Sequence, residues 1–192
     1  MNIRNKIFEV ADRQQGYFTA KQAQDCGIPR SHFHRKLRSG EWIKEQRGIY
    51  RLAHYPITDR PELVLWSLWS RDKKDRPQGV WSHETASDIH ELCDIMPSKM
   101  HMTVPPHFRK QVKIPKILKL HVATISEKDV EIHQGYQITT PLKTLLDVIK
   151  ENTISQELII QAIRTGLQRG ILLTQDVLQI PELAKYIHEY NL

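Results

Sequence analysis

Ser82, His83 and Glu84 set side by side the three residue types of a hydrolase triad. Nucleophilic catalysis needs the imidazole within about 3 Å of the hydroxyl, with a carboxylate behind it. Consecutive residues of a helix do not face one another, so the run reads as an N-cap, Ser82, followed by helix residues. His83, His90 and Asp94 recur at i, i+7 and i+11, one helical face that could in principle ligate a metal. Only His90 and Asp94 have the one-turn spacing at which ligands on a helix meet. The rings of His32-x-His34 point apart on a helix, and the spacing of His101, His107, His121 and His133 gathers none of them. There is no Gly-x-x-x-x-Gly-Lys loop to cradle phosphate, and no carboxylate cluster followed by Glu-x-Lys in a strand to suggest a nuclease. These residues predict no catalytic site, no metal and no cofactor.

A different chemistry is available near residue 30. If the stretch from Pro29 to about Arg38 is a helix, Phe33 and Leu37 lie together on one side at about 100° per residue. Ser31, Arg35 and Arg38 then share the opposite side at i, i+4 and i+7, with His32 and His34 at its flanks and Arg30 just before it. Arginine bonds guanine O6 and N7 bidentately, and serine or histidine can bond base edges or phosphates. Such a face suits the major groove; a solvated basic face is the plainer alternative.

The elements that would hold this helix are legible around it. Ile3, Ile7, Val10 and Ala11 recur at helical spacing, giving a helix over residues 2–13 that stops at Gly16. Tyr17 and Phe18 form a short extended piece. Thr19, three residues ahead of Gln22, makes a capping box for a helix to about Asp25. Cys26-Gly27-Ile28-Pro29 is the tight turn of a helix-turn-helix. A hairpin from Glu41 to Leu52 turns at Gln46-Arg47-Gly48. Trp42, Lys44, Tyr50 and Leu52 share one parity there, and Ile43, Ile49 and Arg51 the other. A hairpin directly after the second helix is a wing: Arg47 at its tip would enter the minor groove, Lys44 and Arg51 would neutralise phosphates, and Trp42 and Tyr50 would pack.

Charge agrees with this placement. The net charge is +6; residues 1–60 hold twelve Lys and Arg against six Asp and Glu, the rest sixteen against sixteen. The excess confined to one third of the chain suggests a polyanionic partner, double-stranded DNA first, with a mere solubility margin as the equal alternative. The longest nearly apolar run, Leu63 to Trp69, is seven residues with Ser67 inside it, too short for a membrane span. Charged residues through the first twenty exclude a secretory leader. Cys26 and Cys93 fit neither a disulfide framework nor a zinc ribbon, and Cys93 reads as core. A reduced, cytoplasmic setting is expected.

Farther along, Leu63 to Trp69 predicts a buried helix, Lys73 to Gly79 a charged loop, and Glu84 to about Leu92 a helix. Strands are expected at Met100–Val104, Leu118–Ala123 and Tyr136–Thr139. The basic run Arg109, Lys110, Lys113 and Lys116 is expected in a loop. A helix opens at Pro141, and two more cover about 156–169 and 174–190. The expectation is an α+β protein: a winged helix-turn-helix over residues 1–55, and helices packed on a small mixed sheet over 56–192.

The stretches Gly16-Tyr-Phe-Thr-Ala-Lys-Gln-Ala, Cys26-Gly-Ile-Pro-Arg-Ser, Leu37-Arg-Ser-Gly and Arg47-Gly-Ile-Tyr-Arg-Leu resemble the N-terminal domain of the AbiEi family, antitoxins of type IV toxin–antitoxin (abortive infection) systems. More loosely, Ser82-His-Glu-Thr-Ala, Met102-Thr-Val-Pro and Ile138-Thr-Thr-Pro-Leu-Lys-Thr-Leu-Leu-Asp are similar to segments of AbiEi-type C-terminal domains. The resemblance implies a winged helix that binds inverted repeats upstream of its own operon and represses it. It further implies a second domain that counteracts a nucleotidyltransferase-like toxin without a stable complex. Two rivals stand beside it: a plain regulator whose second domain senses a ligand or dimerises, and an enzyme docked by its winged helix.

Overall fold

The computed structural model describes residues 2–152 and 154–190. The chain divides into two compact units, one running up to Gly79 and including Ile132–Gln137, the other formed by Val80–Glu131 and the chain from Ile138 onward. The first unit extends past the boundary at residue 55 expected from sequence.

In the first unit, helix α1 (Ile3–Asp12) starts where the Asn2 side chain accepts the Arg4 N–H. Strand β1 (Tyr17–Thr19) leads into α2 (Ala20–Asp25) through the expected capping box. Gln22 N–H donates to Thr19 Oγ1 at 3.1 Å, and Thr19 N–H donates to Gln22 Oε1 at 2.8 Å. The Thr19 hydroxyl also bonds Asp75, so the charged loop after α4 (Pro61–Trp69) is fastened to the entry of α2.

A 3₁₀ turn (Arg30–His32) and α3 (Phe33–Arg38) follow, then β2 (Trp42–Gln46) and β3 (Ile49–Leu52). The sheet order is β1-β3-β2, antiparallel throughout, with Phe18 opposite Tyr50 and Trp42 opposite Leu52. Ile7, Ala11, Phe18, Ala23, Ile28, Phe33 and Trp42 close the core beneath it. This is a winged helix-turn-helix.

The second unit carries β4 (Val80–Trp81), α5 (His83–Ile89), β5 (Met100–Val104) and β6 (Leu118–Val122). Strands β7 (Val130–His133) and β8 (Tyr136–Thr139) complete a five-stranded sheet of order β6-β5-β4-β8-β7. β4 runs antiparallel to β5 and parallel to β8, and β5 runs parallel to β6. Trp81 lies in register with Met102 on one side and Ile138 on the other, all three wholly buried. The architecture is the expected α+β mix with a mixed sheet.

Helices α6 (Pro141–Glu151), α7 (Gln156–Gln168), α8 (Thr174–Leu178) and α9 (Pro181–Tyr190) build a helical core around Leu145, Val148, Ile163, Val177 and Leu183. The single helix expected over 174–190 is thus two. Pro181 has no N–H to give to a preceding turn and opens α9 as its first residue. The strands β4 and β7 were not foreseen; Val80-Trp81 is too short to show alternation.

Gly16 turns the chain between α1 and β1 at φ +90°, and a Cβ there would meet the Tyr55 ring and its Cβ at 2.6 to 2.8 Å. Gly40 also has positive φ, at +73°, but open space around it. Gly40→Ala should therefore cost only backbone strain, about 1–2 kcal/mol. Gly16→Ala adds a steric clash and should lower the chemical-denaturation midpoint clearly further. Equal losses would remove Tyr55 as the reason for glycine at position 16.

Candidate nucleic-acid interface

The helix that could read DNA is held from behind by aromatic packing. Phe33 is buried, its ring 5.2 Å from Trp42 and 5.4 Å from Tyr50, both edge-on. Phe18 contacts the same two rings from the sheet, at 4.7 and 5.9 Å. Leu37 packs half-buried on this core. Trp42 and Tyr50 are thereby committed to packing, as their parity predicted.

The opposite side is open. Arg30, Ser31, His34, Arg35 and Arg38 are all exposed. The segment departs from the expected continuous α-helix. Pro29 is extended (φ −61°, ψ 145°) and outside the helix, and residues 30–32 form the tighter 3₁₀ turn. A 3₁₀ turn advances about 120° per residue rather than about 100°, so Ser31 is not in strict α-helical line with Arg35 and Arg38. His32, Arg35 and Lys36 border a groove of 860 Å³ whose far wall includes Ile3, Ile7 and Phe8 of α1.

At the helix end Lys36 Nζ donates to Glu41 Oε2 at 2.6 Å, and the Ser39 hydroxyl donates to Glu41 Oε1 at 3.0 Å. The Lys36 bond holds the Glu41 carboxyl below the usual range, against a small effect of burial. This pair ties the last turn of α3 to the start of β2 and so helps to fix the angle between helix and wing. Being partly exposed, it adds little stability of its own.

On the wing, Lys44 and Arg47 are exposed. Arg51 is placed otherwise than expected: its Nε donates to Glu45 Oε1 at 2.9 Å and its side chain is only 17% exposed. Its charge is balanced within the wing rather than presented outward. The wing's turn is fixed from below, where Ala20 N–H donates to the Gly48 carbonyl at 2.9 Å and Arg71 Nη2 reaches the same oxygen at 3.4 Å.

The second unit holds a constellation that the sequence spacing did not disclose. His83, on α5, and His121, on β6, stack with ring centroids 3.6 Å apart and planes 12° from parallel. His121 Nδ1 lies 2.7 Å from Glu151 Oε1, at the end of α6, and His83 Nε2 lies 3.3 Å from the same oxygen. His101, on β5, places Nδ1 3.3 Å from His121 Nε2. All three imidazoles are buried.

Burial, reinforced by neighbouring His121, pushes the His83 imidazole down to about 4. Burial, then Lys119 and the other two histidines, pushes His101 down to about 3. Burial is the largest single effect and acts to raise the Glu151 carboxyl, but the hydrogen bond from His121 together with the charges of His121, His83 and Lys119 holds the group below its ordinary range. One turn back, burial raises Asp147 in spite of its bond with Lys143.

The Ser82-His83-Glu84 run also differs from its reading as a simple helix cap. Ser82 occupies the N-cap position but makes no capping bond; its Oγ lies 2.7 Å from Thr103 Oγ1 and 2.9 Å from His83 Nδ1. The two neighbours face each other because Ser82 is extended and His83 adopts φ +53°, outside helical geometry. Ser82 is wholly buried, which denies its hydroxyl a substrate. His90 and Asp94 do not join the cluster: α5 stops at Ile89, His90 bonds the Thr139 carbonyl at 2.7 Å, and Asp94 accepts from Gln161. Cys93 packs partly buried beside Ser87, and both cysteines are free thiols. The basic run Arg109 to Lys116 lies in irregular chain, as expected.

The three-stranded sheet and the helix-turn-helix define a winged helix with an open cationic side. Residues 5–53 match the family described as "Transcriptional regulator, AbiEi antitoxin", so the resemblance read from the motifs holds over the winged helix. A comparison with curated proteins finds no match. Among solved structures, the chain is similar to the crystal structure of the RV2827C protein from Mycobacterium tuberculosis. That similarity has a TM-score of 0.49 at 11% identity, covering 85% of this chain and 71% of that one. No helix among the described residues is long and apolar enough to cross a membrane.

Buried anchor and exposed face are separable in this geometry. Phe33→Ala should cost about 3–5 kcal/mol of stability in chemical denaturation. Arg35→Ala, on the exposed side, should stay within about 0.5 kcal/mol of the parent. A destabilising Arg35→Ala would show that this side chain is structural.

Proposed function

We propose that the chain is a DNA-binding transcriptional regulator of the antitoxin type, which represses its own operon from an inverted repeat and counteracts a nucleotidyltransferase-like toxin. The observation that supports the DNA reading best is the exposure of Arg30, Ser31, His34, Arg35 and Arg38 on a helix whose other side is locked by Phe33. In this reading residues 1–55 are the DNA-binding module and residues 56–192 the antitoxin part. The protein works in the cytoplasm, without a membrane partner or a stable complex with the toxin.

Mechanistically, Ser31, Arg35 and Arg38 face base edges in the major groove, with His34 and Arg30 beside them. Lys44 and Arg47 meet the backbone and minor groove. Arg51 contributes through the wing's shape, because Glu45 already engages it. The match to a family of transcriptional regulators and antitoxins over residues 5–53 supports both halves of the proposal.

Gel-shift titration against the region upstream of the protein's own operon provides the test. Arg35→Ala should cost about 1–3 kcal/mol and relax preference at a single base pair; a uniform loss across variant sites would make Arg35 a phosphate contact. Arg47→Ala should lower the slope of log K against log salt by about one, and an unchanged slope would take the wing tip out of the interface. Co-expression with the product of the adjacent toxin-like gene tests the antitoxin half. Growth should be rescued, and continued arrest would leave a plain regulator.

A further inference from the structure

We propose that His83, His121 and Glu151 form a binding site for a divalent transition-metal ion of the Zn²⁺ class in the second unit. This inference does not depend on the DNA-binding reading. The three side chains come from separate elements, α5, β6 and α6, and their ligand atoms all lie within 4.8 Å of one another. Two imidazoles and one carboxylate are the donor set of open, four-coordinate zinc sites, in which the fourth position is left to water or a ligand. Ligand atoms around such an ion sit about 3.3–3.5 Å apart, given bonds of about 2.0–2.1 Å. Glu151 Oε1 is already 2.7 Å from His121 Nδ1 and 3.3 Å from His83 Nε2. Occupancy needs Glu151 to draw back and the two stacked rings to open so that their in-plane lone pairs converge. Glu151 ends its helix and is 37% exposed, so it has room to move.

The surroundings favour the metal-bound arrangement of protons. A ligating histidine normally gives its other ring N–H to a fixed acceptor. With a cation at His83 Nε2, the proton stands on Nδ1, where Ser82 Oγ accepts it at 2.9 Å and passes its own to Thr103. With the cation at His121 Nδ1, its Nε2–H donates to His101 Nδ1 at 3.3 Å. The remaining His101 Nε2–H then faces the Glu84 carboxylate, 3.8 Å away. With no cation and a neutral His121 donating its Nδ1–H to Glu151, His101 has to donate to His121 Nε2. The bare lone pair of His101 Nε2 is then turned toward the Glu84 carboxylate. A second, independent feature lies one helical turn before Glu151: Asp147 is only 8% exposed, and its Oδ2 has no hydrogen-bond partner among the described residues. It shares Glu151's helix face and offers an acceptor for a metal-bound water.

The test uses the whole chain, freed of metal with a chelator and titrated with Co²⁺, then Zn²⁺. One Co²⁺ per chain should bind with visible ligand-field absorption, and one equivalent of Zn²⁺ should abolish that absorption. Glu151→Gln, at a partly exposed helix end, should keep the far-ultraviolet spectrum and weaken Co²⁺ binding at least about tenfold. His101→Gln, a positioning residue, should weaken it about 10- to 100-fold. His83→Gln and His121→Gln should remove the absorption. If those two variants fail to fold, Glu151→Gln decides alone. The proposal is overturned if the parent shows no stoichiometric absorption, or if Glu151→Gln binds Co²⁺ like the parent, since the ion would then sit elsewhere.

Discussion

Everything in the winged helix depends on four aromatic rings. Phe18 from β1 and Phe33 from α3 each meet both Trp42 and Tyr50 of the hairpin, with ring centroids 4.7 to 5.9 Å apart and three of these four pairs edge to face. Rings of this size carry most of the apolar burial available to so small a sheet, and their edge-to-face preference sets angles as well as contacts. Sheet, helix and wing thereby share one packed core. The scaffold is aromatic, while the exposed face it carries is cationic.

Much of this was legible in the chain because it is local. A capping box needs only Thr19 and Gln22; a hairpin needs alternation and a turn; a helix end needs a glycine or a proline. These signals span a few residues and survive any tertiary context that agrees with them. The 3₁₀ turn at Arg30–His32 was not legible, because α and 3₁₀ geometry differ by one hydrogen-bond step and share the same residue preferences. Nor was the Arg51–Glu45 pair: the parity of the strand puts Arg51 on the side away from Trp42 and Tyr50, but only three-dimensional reach tells that Glu45 meets it. The split between α8 and α9 follows from Pro181, which cannot continue a helix from its N-terminal side.

The histidine cluster was invisible for a different reason. His83, His101 and His121 are each about twenty residues from the next, and Glu151 is thirty farther on. The parallel pairing of β5 with β6 sets His101 opposite Lys119 and His121 opposite Thr103, two positions further along the same face, and the packing of α5 and α6 brings in His83 and Glu151. Pattern reading registers periodicity within an element, and this site has none. The one local hint was Ser82-His83, whose side chains touch because the backbone between them abandons helical geometry.

That backbone has a consequence of its own. With φ at +53°, position 83 would be occupied more cheaply by glycine or asparagine than by histidine, and a β-branched residue could scarcely be accommodated at all. The chain nonetheless places a bulky, ionisable ring there and shuts it away from water. The fold thus bears both left-handed backbone and the desolvation of an imidazole at this one residue, and its neighbours, not the path of the chain, must offset that cost.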